Sequence, residues 1–223
     1  MKLKGLDYLD VSSNFSDDEI MIQHSVRDFV DKEVTPIIDE HFKNATFPNE
    51  LIPQFADMNL LGVNLPEEYG CGGMSHVAYG LVCQELERCD SGIRSFVSVQ
   101  GSLVMFPIYA YGNEEQRKKW LPKLAAGDAI GCFGLTEPDY GSNPGGMVTT
   151  AKKTDGGYIL NGAKMWITNG TVADVAVVWA KTDDGVVRGF LVEKGMKGFS
   201  APVMKNKWSL RASVTSELIF DNV

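Results

Sequence analysis

The densest group of residues that could bind a ligand lies in the segment F-G-L-T-E-P-D-Y-G-S-N-P-G-G, from Phe133 to Gly146. A short apolar run ends there in a threonine, Thr136, and a loop of small residues follows. Glycines let backbone amides approach a ligand closely, so this loop could cradle a pyrophosphate or receive the edge of a flavin ring. A plain surface loop between two strands is the alternative, and composition by itself favours it.

A second group is the run W-I-T-N from Trp166 to Asn169. In a regular strand, Trp166 and Thr168 face the same side of the sheet. A flat indole with a hydroxyl two residues further on would suit a flavin, because the ring can pack while the hydroxyl bonds a ring heteroatom. Taken alone, the run is more typical of a core tryptophan beside a turn.

A third group places Glu87 seven residues before Arg94, with Ser95 next to it. Seven residues are about two helical turns, although Ser91-Gly92 between them could interrupt a helix. The guanidinium of arginine offers two parallel donors that match a carboxylate. Simple solvation of these charges is the alternative, and the sequence alone favours it.

The first half of the chain has the patterns of helices that would position these groups. Ser16 and Glu19 form a capping box, which opens a helix with an apolar stripe through Ile20, Phe29, Val30 and Val34. We expect Pro36 to bend or end this helix. Further helices are predicted from Asn49 to Gly62, from Ser75 to about Ser91, from about Arg94 with an interruption at Pro107, and from Asn113 to Gly127.

From Ala129 onward, short β-branched runs alternate with turns, which is typical of an antiparallel sheet. Asp155-Gly156, Asn169-Gly170 and Asp184-Gly185 read as hairpin turns between the runs. The pattern predicts an α+β protein, with an all-α domain over residues 1–127 and a mainly antiparallel β domain over residues 128–223. Neither G-x-G-x-x-G nor G-x-x-x-x-G-K-[ST] occurs, so a nucleotide cofactor would need a different loop.

Composition narrows the classes of function. The 223 residues carry a net charge of −8, which argues against binding to nucleic acid. No apolar run approaches the roughly 20 residues that a bilayer span needs, and the first residues resemble neither a signal nor a transit peptide. Four cysteines and three histidines show no metal-ligand spacing. We therefore expect a cytoplasmic protein without a metal site.

Three segments, in their order along the chain, resemble the acyl-CoA dehydrogenase family. They are Y-G-N-E-E-Q-R-K-K-W-L-P-K-L-A-x-G from Tyr111, C-F-G-L-T-E-P-D-Y-G-S-N-P from Cys132, and N-G-x-K-x-W-I-T-N from Asn161. The segments E-L-E-R-x-D-S-G-x-R-S from Glu85 and K-x-S-L-R-A-S from Lys207 are most similar to the glutaryl-CoA dehydrogenase branch. Ile93 departs from that branch, which usually has an aromatic residue there.

The resemblance implies FAD as cofactor and an acyl-CoA, specifically glutaryl-CoA, as substrate. Residues that would contact FAD are Phe133, Leu135, Thr136, Gly141, Ser142, Trp166, Ile167 and Thr168. Ser142 would also face the acyl-CoA. Arg94 and Ser95 would hold the distal carboxylate of the substrate, with Glu87 near that end. The implied reaction removes the α-proton, passes the β-hydrogen to the flavin and releases carbon dioxide from the glutaryl group.

The family's catalytic base is a glutamate in a C-terminal helical domain, so the resemblance implies no catalytic residue within these 223 positions. It also implies an electron-transferring flavoprotein as electron acceptor and a homotetramer for the full-length protein. We expect this chain alone to hold at most half of a flavin site and to be inactive. Two alternatives stay open: a short-chain acyl-CoA dehydrogenase with another substrate, and an inert module that binds acyl-CoA or flavin.

Overall fold

The computed structural model describes Asp7 and residues 9–223. Residues 1–6 and Tyr8, on which the expectation about a leader peptide partly rests, lie outside the described residues. The first half is helical: α1 (Asp17–Phe29), α2 (Thr35–Asn44), α3 (Ile52–Asp57), α4 (His76–Cys89), α5 (Ser91–Ser98), α6 (Phe106–Tyr111) and α7 (Glu114–Ala125). Short 3₁₀ turns lie at Val11–Asn14, Asn49–Leu51, Leu60–Gly62, Glu67–Tyr69 and Pro144–Gly146.

Both prolines that were expected to break helices lie just after a π-helical segment. Val30–Val34 joins α1 to α2 ahead of Pro36, and Val99–Met105 joins α5 to α6 ahead of Pro107. A π turn shifts the backbone hydrogen bonds from i→i−4 to i→i−5. The helix can then pass the proline, which has no N–H to donate, and the wider turn leaves space for the proline ring. The sequence predicts a bend or an end at Pro36, but the helical backbone continues through this residue to Asn44.

The helix predicted from Asn49 to Gly62 is shorter in the structure. The α-helical part ends at Asp57, because Asn59 adopts the left-handed conformation with φ of 55°. Asparagine tolerates this conformation better than most residues. Phe55 of α3 nevertheless lies fully buried in the helical core, where it packs against Phe96 and Phe29.

Seven strands follow in the described part of the chain: β1 (Gly131–Gly134), β2 (Thr150–Thr154), β3 (Gly157–Thr168), β4 (Val175–Thr182), β5 (Val187–Glu193), β6 (Phe199–Ser200) and β7 (Thr215–Phe220). They form one sheet of order β1-β4-β2-β3-β7-β6, with β5 paired to β4. Most pairings are antiparallel, as predicted, but β4 pairs in parallel with both β1 and β2. A helical N-terminal half therefore precedes a mixed sheet.

The turn at Asn169-Gly170 is not a hairpin, contrary to the sequence prediction. It connects β3 to β4, which are not neighbours, since β3 lies between β2 and β7. Asn169 is buried and donates its side-chain amide to the Gly131 carbonyl, 3.4 Å away. Asp155-Gly156 does connect the paired strands β2 and β3, and Asp184-Gly185 lies between β4 and β5.

The helical half and the sheet meet where Val99–Met105 packs on β1. Gln100 is fully buried there and donates to the carbonyls of Leu124 and Ala129 at 3.0 and 2.9 Å. Its side-chain oxygen accepts from the Gly131 backbone N–H at 2.8 Å. A Cβ at Gly131 would collide with Val104, so this close approach requires glycine.

Within Asp7 and residues 9–223, no helix combines the length and apolar character needed to cross a bilayer.

Candidate functional site

A pocket of about 260 Å³ lies where the helical segment Val99–Met105 faces the ends of β1 and β3. Its lining residues are Val99, Leu103, Phe133, Leu135, Thr136, Trp166, Ile167 and Thr168. The structure thus brings together six of the eight residues predicted to contact a cofactor, and Thr136 and Trp166 share one cavity. The volume lies just below the roughly 300–1,000 Å³ of complete ligand pockets. The cavity is therefore large enough for part of a cofactor but not for a whole one.

Thr136 and the tryptophan strand are joined through the backbone. The Met165 N–H donates to the Thr136 carbonyl at 2.9 Å, so the second residue after β1 lies against the residue next to Trp166. Hydroxyls of Thr136 and Thr168 supply polar groups to a pocket whose other walls are mostly apolar. That combination suits a planar heteroaromatic ring with a polar edge.

Trp166 owes its position to a β-bulge that the sequence does not reveal. On β3, two residues lie between the paired positions Lys164 and Ile167, whereas one lies between their partners on β7. Trp166 takes up the extra residue in the left-handed region, with φ of 63°. Its side chain is 61% exposed, so the alternative of a core tryptophan is wrong.

A buried ion pair that the sequence analysis missed lies directly behind this pocket. Lys164 Nζ lies 2.9 Å from Glu137 Oε1, and both side chains are almost completely buried. Lys164 also donates to the Leu135 carbonyl at 3.1 Å. Burial alone would raise the pKa of Glu137, but hydrogen bonds from neighbouring groups and from Lys164 lower that pKa to about 2. Glu137 is therefore a carboxylate at neutral pH.

The sequence contained a signal for this pair. Glu137 and Lys164 are charged residues inside two segments that otherwise consist of strand and small-loop residues. Charged residues are almost never fully buried unless they are paired, so two charges of opposite sign in adjoining strand patterns could have indicated a partner. The sequence analysis also missed the pocket residues Val99 and Leu103. Their residue types give no signal, because apolar residues of a helix usually pack in the protein core.

Gly141 and Ser142 lie apart from the pocket lining. They occupy the loop after a tight turn in which Glu137 and Tyr140 exchange two backbone hydrogen bonds of 3.2 Å. Both residues are exposed, and open space surrounds the position that a Cβ on Gly141 would take. The structure thus leaves this loop accessible to a ligand but does not bring it into the cavity.

The predicted carboxylate-binding residues, Glu87, Arg94 and Ser95, do not lie on one continuous helix. Helix α4 ends at Cys89, and Asp90 then caps α5 by accepting from the Gly92 and Ile93 N–H groups. Across this break, Arg94 Nε lies 2.6 Å from Glu87 Oε2.

Glu87 is held by two donors. Ser91 Oγ donates to its second oxygen at 2.5 Å, and this bond, followed by the one from Arg94, lowers the pKa of the Glu87 carboxyl. Both partners of the ion pair are partly exposed, so it is accessible to a ligand. Ser95 lies one helical turn before the pocket residue Val99 on the same continuous helical path.

No cluster of three or more potential metal ligands occurs in the part of the chain that the structure describes.

Comparison with known proteins matches two family descriptions to the chain. Residues 16–128 match "Acyl-CoA dehydrogenase, N-terminal domain", and residues 132–223 match "Acyl-CoA dehydrogenase, middle domain". A curated "Acyl-CoA dehydrogenase" of Bacillus subtilis is 41% identical over 209 residues, which cover 92% of this chain and 55% of that protein.

Solved structures give the same relationship. A glutaryl-CoA dehydrogenase from Mycobacterium smegmatis in complex with FADH2 is 57% identical, with a TM-score of 0.94; the match covers 98% of this chain and 56% of that one. Butyryl-CoA dehydrogenase from Megasphaera elsdenii is 34% identical, with a TM-score of 0.87 and coverage of 94% and 57%. The chain thus spans about half the length of the relatives it matches. It belongs to the acyl-CoA dehydrogenase family, and it carries the N-terminal and middle domains of that family.

Proposed function

We propose that this chain forms the N-terminal and middle part of an FAD-dependent glutaryl-CoA dehydrogenase, and that its pocket is one wall of the flavin site. The observation that carries the proposal is the single cavity shared by Thr136, Thr168 and the exposed indole of Trp166. The FADH2 bound to the 57% identical Mycobacterium smegmatis protein supports the same assignment.

The pocket residues divide into two roles. Phe133, Leu135 and Ile167 supply apolar surface, and Trp166 offers a flat face on which a ring can pack. When bound, FAD supplies the acceptor for the β-hydrogen of the acyl thioester. Thr136 and Thr168 would supply hydroxyl donors to the polar edge of the ring. Gly141 and Ser142 contact the cofactor from the exposed loop.

Arg94 and Ser95 bind the distal carboxylate of glutaryl-CoA, which fixes the acyl chain relative to the ring. Glu87 orients Arg94 through the 2.6 Å ion pair, and Arg94 Nη1 donates to Ser98 Oγ at 3.3 Å. Among the described residues, the Nη2 group has no partner and can meet a substrate. The close relationship to the Mycobacterium smegmatis glutaryl-CoA dehydrogenase supports this substrate. Oxidation of a glutaryl group leaves a carboxylate placed to depart as carbon dioxide.

The α-proton is removed by a base outside these residues, on the C-terminal domain of the family. We therefore expect the 223-residue chain to be inactive by itself. Electron-transferring flavoprotein would reoxidise the flavin, and the complete protein would be a homotetramer.

A fusion protein tests the assignment: this chain followed by the C-terminal remainder of the Mycobacterium smegmatis glutaryl-CoA dehydrogenase. We expect it to bind FAD and oxidise glutaryl-CoA. Arg94→Gln should lower kcat/KM for glutaryl-CoA at least 100-fold, and for butyryl-CoA less than tenfold, because the charged contact contributes about 3 kcal/mol to one substrate alone. Lys118→Gln removes an exposed cation of α7 and is the matched control.

Each other outcome has a distinct meaning. Equal losses on both substrates would favour a short-chain acyl-CoA dehydrogenase with another substrate. Failure of the fusion protein to bind FAD would favour an inert module. Turnover of glutaryl-CoA by the unfused chain would contradict the assignment of the base to another domain.

A further inference from the structure

The Lys164 ammonium contacts the chain on both sides of Thr136. It donates to the carbonyl of Leu135, the residue before the threonine, and to the carboxylate of Glu137, the residue after it. Lys164 also lies 3.8 Å from the Met147 sulfur and is completely shielded from solvent. The backbone that presents the Thr136 hydroxyl is therefore held at two adjacent points by one side chain.

The Glu137 carboxylate closes the loop that follows. Its Oε2 accepts from the Val148 N–H at 2.7 Å, and its Oε1 accepts from the Thr149 N–H at 2.9 Å. The segment 138–147 is thus a loop whose two ends meet at Glu137, because the loop follows this residue and the two residues after the loop bond its side chain. Ser142, which is exposed, lies inside this closed loop.

On the opposite strand, Lys164 is the last regularly paired residue before the bulge that carries Trp166. The next residue, Met165, donates to the Thr136 carbonyl at 2.9 Å. The ion pair and this backbone bond together join the end of β1 to the bulge of β3. The two sides of the pocket are fixed to each other at the point where they would meet a flavin.

We infer that Glu137 and Lys164 are positioning residues, which set the distance and orientation between the Thr136 hydroxyl and the Trp166 indole for the flavin ring. The inference rests on the proposed function. A buried ion pair is weak evidence for stability, since apolar residues of similar volume often replace one without loss. What such residues cannot replace is the set of directed hydrogen bonds to Leu135, Val148 and Thr149.

The test uses the double variant Glu137→Leu with Lys164→Met, which removes both charges and retains the volume. Lys119→Met is the matched control, because Lys119 also forms an ion pair between distant elements, α7 and β5, through Glu193, but lies on the exposed surface. In the fusion protein, we expect the double variant to bind FAD at least tenfold more weakly. Its flavin absorption should shift toward that of free FAD, while its far-ultraviolet circular dichroism stays like that of the parent protein. Its melting temperature should fall, because the Val148 and Thr149 N–H groups and the Leu135 carbonyl lose their partner. Lys119→Met should change the FAD affinity less than twofold.

Hydrogen exchange in the 223-residue chain supplies a measurement that needs no flavin. The amides of Val148, Thr149 and Met165 should exchange at least tenfold faster in the double variant, whereas the Gly131 amide, held by Gln100, should not change. FAD affinity, flavin spectrum and exchange rates equal to those of the parent would overturn the inference. If the parent fusion protein binds no FAD, the proposed function fails, and unchanged exchange rates would then also refute the positioning role.

Discussion

Replacement of Gln100 by methionine should strongly destabilise the junction of helices and sheet. Methionine has a similar length and no branching, so it fills the same space without hydrogen bonds. The change removes three bonds of 2.8–3.0 Å that join the segment Val99–Met105 to the end of α7 and the start of β1.

The magnitude follows from the partners left behind. The Leu124 carbonyl also accepts from the Ala126 and Gly127 N–H groups and stays paired. Gly131 N–H and the Ala129 carbonyl lose the Gln100 side chain as their partner. Each buried group left unpaired costs about 1–3 kcal/mol, so we expect a loss of about 4 kcal/mol in the free energy of unfolding. For a chain of this size, that is about 10 °C in melting temperature.

Urea denaturation followed by circular dichroism and by tryptophan fluorescence measures this loss through linear extrapolation. Gln84→Met is the matched control, because Gln84 is exposed on α4, and we expect it to change stability by less than about 0.5 kcal/mol. A loss below about 1 kcal/mol for Gln100→Met, equal to that of the control, would refute the claim that the Gly131 N–H and the Ala129 carbonyl are left buried and unpaired.

Other predictions address the bulge, the ion pair and the thiols. Trp166→Gly should be about 0.5–1 kcal/mol more stable to urea than Trp166→Ala. The left-handed backbone costs alanine about 1–2 kcal/mol, and the greater unfolded-state entropy of glycine offsets part of that difference. Equal stabilities of the two variants would contradict strain at the bulge. Because the folded-state pKa of Glu137 lies near 2, below its ordinary value of 4.5, its ionised form stabilises the fold above pH 4.5 and that contribution disappears as pH falls toward 2. Acid titration should therefore show a shallower loss of stability in that window for Glu137→Gln, and a curve parallel to the parent would exclude this linkage. Burial raises the pKa of Cys132 to about 12, so its thiol should react with alkylating reagents only after unfolding, whereas rapid labelling in the native state would disagree with the structure.

Local features followed from the sequence alone. The capping box at Ser16 is present as predicted, and the helix predicted from Asn113 begins with a second one. Each box involves partners only three residues apart, so the spacing itself encodes the contact. The change from helices to strands near residue 129 was equally readable, since the apolar period changes there. The family motifs also located six residues that line one pocket, although the sequence could not indicate which residues of the helical half would join them.

Other features depended on contacts between distant residues. Glu137 and Lys164 meet across 27 positions, and Gln100 reaches Gly131 across 31. The two buried charges indicate that each needs a partner, but no local spacing identifies the partner in either pair, because packing of one element on another creates the contact. The parallel pairing of β1 with β4 and the bulge at Trp166 likewise depend on which strands become neighbours. The sequence therefore determined the elements and the candidate residues, whereas the tertiary structure decided how the pocket wall is held together.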